Sequence, residues 1–236
     1  LGDGTEEDRS RPVQVVGLPA GVTGLAGLGD STCAITGEGG VLCWGLNNYG
    51  ELGNGSHRSS LQPVPVAGLS SGVVALAGGG YFVCALTEQG QVYCWGANDN
   101  GQLGDGTDSD RGTPVAVGGL PGAVTALAAG SLHTCALTAS GEVWCWGDNR
   151  SGQLGDGTLA DRFVPGRAVG LAGVTAITAG KSITCASAAD QVYCWGENAN
   201  DQMGQNLELY RMLPGQVSGL DAGVQSIVSG ENSNCA

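Results

Sequence analysis

The sequence predicts an all-β propeller, and three observations carry the prediction. The tripeptide Cys-Trp-Gly recurs at Cys43, Cys94, Cys145 and Cys194, in steps of 51, 51 and 49 residues, and a fixed period of that length marks a repeat architecture. Each period holds four short runs of β-branched and small apolar residues separated by Gly-, Asn- and Asp-rich turns, the signature of short antiparallel strands. Glycine supplies 44 of 236 residues without a collagen-like period, as many tight turns between strands require.

The second period illustrates the elements in order. Residues 73–80 (VVALAGGG) form a first strand ending in glycines, and residues 81–87 (YFVCALT) a second. Glu88-Gln89-Gly90 is a turn. Residues 91–96 (QVYCWG) alternate polar and large side chains as a third strand, and residues 97–112 are a long loop rich in turn formers. Residues 113–117 (TPVAV) are a fourth strand entered through Pro114, and residues 118–123 lead back to the next first strand. Four-stranded sheets set radially, each covering its neighbour, make a propeller.

Counted from the phase Leu-Gly-Asp-Gly-Thr, the repeat units are residues 1–51, 52–102, 103–153, 154–202 and an incomplete 203–236. The whole chain is therefore one repeat array of four full units and a partial fifth. No secretory leader is in view, and because the chain begins within a repeat that absence carries no weight.

The turn length fixes the strand register. Glu88-Gln89-Gly90 fits a type I turn closed by glycine in the left-handed region, which sets Leu86 opposite Val92 and Cys84 opposite Cys94. The same offset pairs Cys33 with Cys43 and Cys135 with Cys145. Cys185 and Cys194 are one residue closer, so Ala189-Asp190 is a two-residue turn. Opposed cysteines on adjacent antiparallel strands have disulfide spacing, so one cross-strand disulfide per blade is expected. Free cysteines packed as small apolar residues and zinc ligation are the alternatives, but the thiols stand nine or ten residues apart in isolated pairs, unlike a zinc site. Cys235 has no partner in this sequence. Disulfides persist in oxidising compartments, so the expected location is extracellular or the cell surface.

Residues 133–158 (HTCALTASGEVWCWGDNRSGQLGDGT) closely resemble the repeat of the regulator of chromosome condensation family, as do residues 82–107, and the likeness runs through the whole chain. The cysteine pair in every blade is similar to that of extracellular bacterial relatives and departs from the nuclear exchange factors. The resemblance implies a ring commonly of seven blades. Seven units would need about 357 residues, so this chain resembles part of such a ring, or a smaller or open variant. The family's activities range from guanine-nucleotide exchange through plant light sensing to inhibition of β-lactamase. Fold does not choose among them.

The formal charge is −13. Nucleic-acid binding rests on Lys and Arg neutralising phosphates, so no nucleic-acid partner is expected. No apolar run approaches the ~20 residues of a membrane span. No phosphate loop, nucleophile elbow or metalloprotease motif is present, and no catalytic residue, cofactor or metal is expected. A calcium role for the Leu-Gly-Asp-Gly-Thr loops fails on the scarcity of acidic ligands, and Asx-type turns explain them better.

Residues at the same phase in every repeat are read as scaffold: Trp44, Trp95, Trp146 and Trp195, and Arg9, Arg111, Arg162 and Arg211, each arginine expected to tie a long loop to a carbonyl or carboxylate. Repeat-breaking residues are the candidates for function. In a four-stranded meander, the loop before each first cysteine shares a face with the long loop. Tyr81, Phe82, Leu132, His133, Lys181, Ile183 and Tyr210 are divergent positions of that face and are expected to bind a partner, since rigid scaffolds carry binding residues on loops. The expected function is a non-catalytic secreted or surface propeller that binds a protein or a glycan. The alternatives are self-association head to tail through the unfinished end blades and, by family analogy, guanine-nucleotide exchange.

Overall fold

The computed structural model describes residues 1–203, 208–220, 224, 226–230 and 233–236. Four antiparallel four-stranded sheets follow one another along the chain. The first is β1 (Gly24–Leu28), β2 (Ser31–Ile35), β3 (Val41–Gly45) and β4 (Ser60–Pro65). The second is β5 (Val73–Gly78), β6 (Phe82–Thr87), β7 (Val92–Gly96) and β8 (Arg111–Ala116). The third is β9 (Val124–Ala129), β10 (His133–Thr138), β11 (Val143–Gly147) and β12 (Arg162–Arg167). The fourth is β13 (Val174–Ala179), β14 (Ile183–Ala188), β15 (Gln191–Glu197) and β16 (Tyr210–Gln216). A two-stranded piece, β17 (Val228–Ser229) and β18 (Asn234–Cys235), begins a fifth. No helix occurs among the described residues. Each sheet is a blade of a propeller, and each straddles two of the sequence units, because the Leu-Gly-Asp-Gly-Thr phase begins between the third and fourth strands.

The register agrees with the turn argument. Leu86 faces Val92 and Cys84 faces Cys94. Gly90 closes its turn at φ +75°, and Ala189 and Asp190 form the two-residue turn with φ of 49° and 62°. Four disulfides follow: Cys33–Cys43, Cys84–Cys94, Cys135–Cys145 and Cys185–Cys194, each with Cα atoms 4.1 Å apart. All eight of these sulfurs belong to buried residues, while Cys235 is free and exposed. The fourth strand begins earlier than its apolar run: β8 starts at Arg111 rather than Thr113, because Gly96 pairs with Arg111 across a bulge.

The first strands β1, β5, β9 and β13 pack side by side, and blade-to-blade contact forms the core between sheets. The tryptophans join the blades. Trp95, Trp146 and Trp195 donate from Nε1 to the carbonyls of Glu51, Gln102 and Gln153 in the preceding blade, at 3.0, 2.9 and 2.9 Å. Each indole lies on the glycine of the preceding Leu-Gly pair; a Cβ on Gly53, Gly104 or Gly155 would stand 2.6–2.7 Å from Nε1. That close approach explains why the glycine recurs. Trp44 lies in the same way on Gly2.

The long loops are organised by an asparagine three residues after each tryptophan. Asn98 donates from Nδ2 to the carbonyls of Thr107 and Ser109, and its Oδ1 accepts from Leu103 N–H. Asn47 and Asn149 repeat the arrangement.

Candidate binding face

The loops before β2, β6, β10 and β14 emerge on the same face as the long loops after β3, β7, β11 and β15. Backbone hydrogen bonds tie each pair: Leu46 N–H to Asp30 O at 3.2 Å, Ala97 to Tyr81 and Asp148 to Leu132 at 2.9 Å, and Glu197 to Ser182 at 2.8 Å. Neighbouring short loops are also joined, Gly80 N–H to Ser131 O and Ser131 N–H to Lys181 O, both at 3.0 Å. The result is a continuous rigid surface. Near its centre, glycines from successive blades, with Ser131 and Lys181, line a shallow depression of about 290 Å³.

Three expected contact residues are not on this surface. Phe82, His133 and Ile183 are each 0% exposed. They are the first residues of their strands rather than loop residues, and each faces a glycine across the sheet: Gly96, Gly147 and Gly196. With no side chain opposite, the ring or branched chain turns inward and fills the space between blades. Phe82 lies so close to Gly79, and His133 to Gly130, that a Cβ on either glycine would collide with the ring.

Of the remainder, Tyr81 is 39% exposed, Lys181 is exposed and Leu132 is half-buried. Tyr210 is exposed but stands on the outer strand opposite Glu197, apart from the short loops. Glu231 and Asn232, in the fifth of the short loops before a first cysteine, and Leu207, in the last long loop, fall outside the described residues.

Sequence reasoning missed Tyr49. Its ring packs against that of Tyr81 from the next blade, centroids 5.3 Å apart and planes at 41°. The signal was available: Tyr49 stands where the other blades have Asn100, Ser151 and Asn200. Glu51, fully buried, was missed as well; its counterparts are Gln102, Gln153 and Gln202.

Three of the four repeated arginines meet carboxylates of their own long loops. Arg9 meets Asp3 at 2.9 Å, Arg111 meets Asp105 at 2.7 Å and Arg162 meets Asp156 at 3.3 Å. Hydrogen bonds from Thr5 and Arg9 lower the Asp3 pKa to about 2. Burial works against ionisation of Asp105 and Asp156, but hydrogen bonds from Thr107 with Arg111, and from Thr158 with Arg162, outweigh it and hold both below the usual carboxylate range. Arg211 sits eight residues after Met203, and its counterpart to these aspartates is Gln205, outside the described residues.

Asp148 behaves oppositely: burial first, then the charge of Asp161, raise its pKa. Gln153 Nε2 donates to its Oδ2 at 2.5 Å, and exposed Arg150 lies 3.3 Å from Oδ1. Arg150 also reaches Asn100 of the preceding blade at 3.0 Å, so this network holds two loops together.

His133 is enclosed between blades. Thr184 Oγ1 donates to Gln153 O at 2.9 Å, so it accepts from His133 Nε2–H, also at 2.9 Å. The neutral tautomer protonated on Nε2 is thereby selected, and Nδ1 is left without a partner. Burial lowers its pKa to about 4. Enclosed in this way it cannot meet a substrate from solvent. Among the described residues, no three His, Cys, Asp or Glu side chains converge as metal ligands, and no helix is long and apolar enough to cross a membrane.

Profiles described as "Regulator of chromosome condensation (RCC1) repeat" match residues 38–86, 89–137, 140–187 and 189–236. The chain is 42% identical over 163 residues to E3 ubiquitin-protein ligase HERC2 of Homo sapiens, covering 67% of this chain and 3% of that protein. It is 35% identical over 177 residues to the ultraviolet-B receptor UVR8 of Arabidopsis thaliana, covering 73% of this chain and 40% of that one. It thus spans well under two thirds of the length of these relatives. Among solved structures, human WBSCR16 superposes with a TM-score of 0.83 at 24% identity, over 94% of this chain and 59% of that one. Yeast RCC1 (Prp20), in its complex with Kap60, gives 0.80 at 22% identity, over 90% and 53%. Likeness at that level is likeness of fold.

Proposed function

Because the chain belongs to the regulator of chromosome condensation (RCC1) repeat family, a family of repeat propellers, we propose that it is a binding module, engaging a protein partner through its loop face without catalysing a reaction. The observation that carries this is the contrast between two parts of one repeat. The Cys-Trp-Gly strands, the indole-covered glycines and the loop asparagines keep their phase, while the short loops and the tips of the long loops change from blade to blade. Variable residues on a rigid frame are the arrangement that confers specificity. An exposed Tyr81 on that face is the kind of side chain that anchors interfaces.

The four buried disulfides support a location outside the reducing cytosol, and we place the working protein at the cell surface or beyond it. A photo-crosslinking residue at exposed Asp108, on a long loop, tests the reading against the same residue at exposed Gln89, on the opposite face of the same blade. The expected result, on the surface of the source cells, is a discrete protein adduct from position 108 alone. Equal labelling from both positions, or a glycan rather than a protein adduct, would remove it.

A further inference from the structure

Three departures from the repeat meet at one junction between the first and second blades: Tyr49, Glu51 and Tyr81. In the other blades the residue at the position of Glu51 is glutamine. Gln102, Gln153 and Gln202 accept the backbone N–H of Asn100, Ser151 and Asn200 on Oε1, and Gln153 turns its Nε2 to Asp148. Glu51 keeps the first contact, its Oε2 accepting Tyr49 N–H at 2.8 Å. Its Oε1 replaces the donor amide, and the residue in the place of Asp148 is apolar Leu46. Oε1 is buried without a hydrogen-bond partner.

Leu46 donates its N–H to the backbone carbonyl of Asp30, an exposed residue. The Tyr81 ring covers Gly29, so closely that a Cβ there would lie 3.1 Å from Cε1, and packs against Tyr49. The buried carboxylate is thus bonded to the backbone of Tyr49, whose ring packs on that of Tyr81, with Asp30 next in sequence to the Gly29 that Tyr81 covers. A buried carboxylate oxygen without a donor is costly, and aromatic faces attract cations. Exposed Arg58, at the outer end of the same long loop, limits long-range attraction, so the match is a short-range one.

Resting on the protein-binding reading above, we infer that Tyr49, Tyr81 and Glu51, with Asp30 beside them, receive a lysine or arginine side chain from a basic segment of the partner protein. The cation lies against the tyrosine rings with the Glu51 charge behind it. The overall charge of −13 favours approach of such a segment.

The test uses labelled hexalysine and hexaarginine peptides, with hexaglutamate as control, titrated against the chain at about 0.15 M salt. Glu51→Gln and Tyr81→Leu each install a residue that another blade carries at that position (Gln102; Leu132), so both variants are expected to keep the fold. Each should weaken binding of a basic peptide about ten-fold, the scale of a partly desolvated cation–aromatic contact. Glu88→Gln, on the opposite face, should change it less than about two-fold, as a remote exposed charge does. Binding unchanged in E51Q and Y81L, or an equal loss in E88Q, would overturn the inference. Adduct formation from position 108 that persists while E51Q has no effect would remove the cationic site and leave the binding face. Peptide binding that depends on Glu51 in a protein giving no adduct would do the reverse.

Discussion

Trp95 and Glu51 are 44 residues apart, yet the indole Nε1 of one donates to the backbone carbonyl of the other at 3.0 Å. The bond crosses a blade boundary, and it recurs from Trp146 to Gln102 and from Trp195 to Gln153. Stability of the array therefore depends on contacts between successive sheets as well as on each sheet.

Removing this donor should cost more than the area lost. Trp95→Phe leaves a buried carbonyl with one acceptor site unmet and is expected to destabilise by about 2–3 kcal/mol. Gly53→Ala should cost about as much for another reason. Its φ is +64° and its Cβ would stand 2.6 Å from Trp95 Nε1, and such a conformation in a non-glycine residue costs of order 1–3 kcal/mol before the collision is counted. Denaturant titration followed by tryptophan fluorescence measures both. A shift under about 0.5 kcal/mol in either variant, the size of an ordinary surface change, would contradict the inter-blade role.

The disulfides make a chemical prediction. With eight cysteines paired and buried, alkylation of the native protein without reductant should add one label, at exposed Cys235. Reduction in denaturant should expose all nine cysteines. The double change Cys84→Ala, Cys94→Ala should cost about 2–3 kcal/mol if the loop-closure account holds. More than one label on the native protein would show that the pairs do not form.

Much of this was legible because the repeat makes four versions of each position visible at once. The turn Glu88-Gln89-Gly90 gave the register, and the register gave the cysteine pairs. The arginines were legible as loop ties, and their partners could have been read too. Asp105 and Arg111 are six residues apart, as are Asp156 and Arg162, and where the first blade has Asn54 it has Ser60. What periodicity could not give was the direction of a side chain at a strand end. Tyr81 and Phe82 are adjacent, and a one-residue difference in where β6 begins decides which reaches solvent. Tyr49 and Glu51 were hidden differently: they lie in a turn-rich loop, where single departures resemble drift until the structure brings them to Tyr81.

The Asp105–Arg111 pair should matter modestly. Its arginine is one third exposed, and pairs of that kind contribute no more than about 1 kcal/mol. Asp105 also accepts from Thr107 N–H and Oγ1 at 3.0 and 2.7 Å. Asp105→Asn, which keeps a carbonyl acceptor and mimics Asn54, should therefore cost under about 1 kcal/mol, and Asp105→Ala clearly more, about 1–2 kcal/mol. Equal losses in thermal denaturation would assign the effect to the ion pair alone.

His133 gives the fold a defined acid sensitivity. Its pKa falls from 6.5 to about 4 on folding, so between these values the unfolded chain binds a proton that the folded chain does not. Stability then rises with pH: it is complete above about pH 6.5, declines on acidification, and reaches its full loss near pH 4, on the order of 3 kcal/mol. The lowered carboxylates act in a separate window. Asp105 and Asp156 contribute stability above the ordinary carboxylate value of 3.8 and lose it only as pH falls further. Asp148, raised, takes its proton sooner in the folded state and works in the opposite sense just above that value. Replacing His133 with phenylalanine, which the second blade carries as Phe82, removes the histidine contribution and leaves the others. Unfolding of H133F should therefore be nearly independent of pH between 6.5 and 5, where the unsubstituted protein loses about 2 kcal/mol. Parallel pH profiles for the two proteins would mean that His133 is protonated as readily in the fold as outside it.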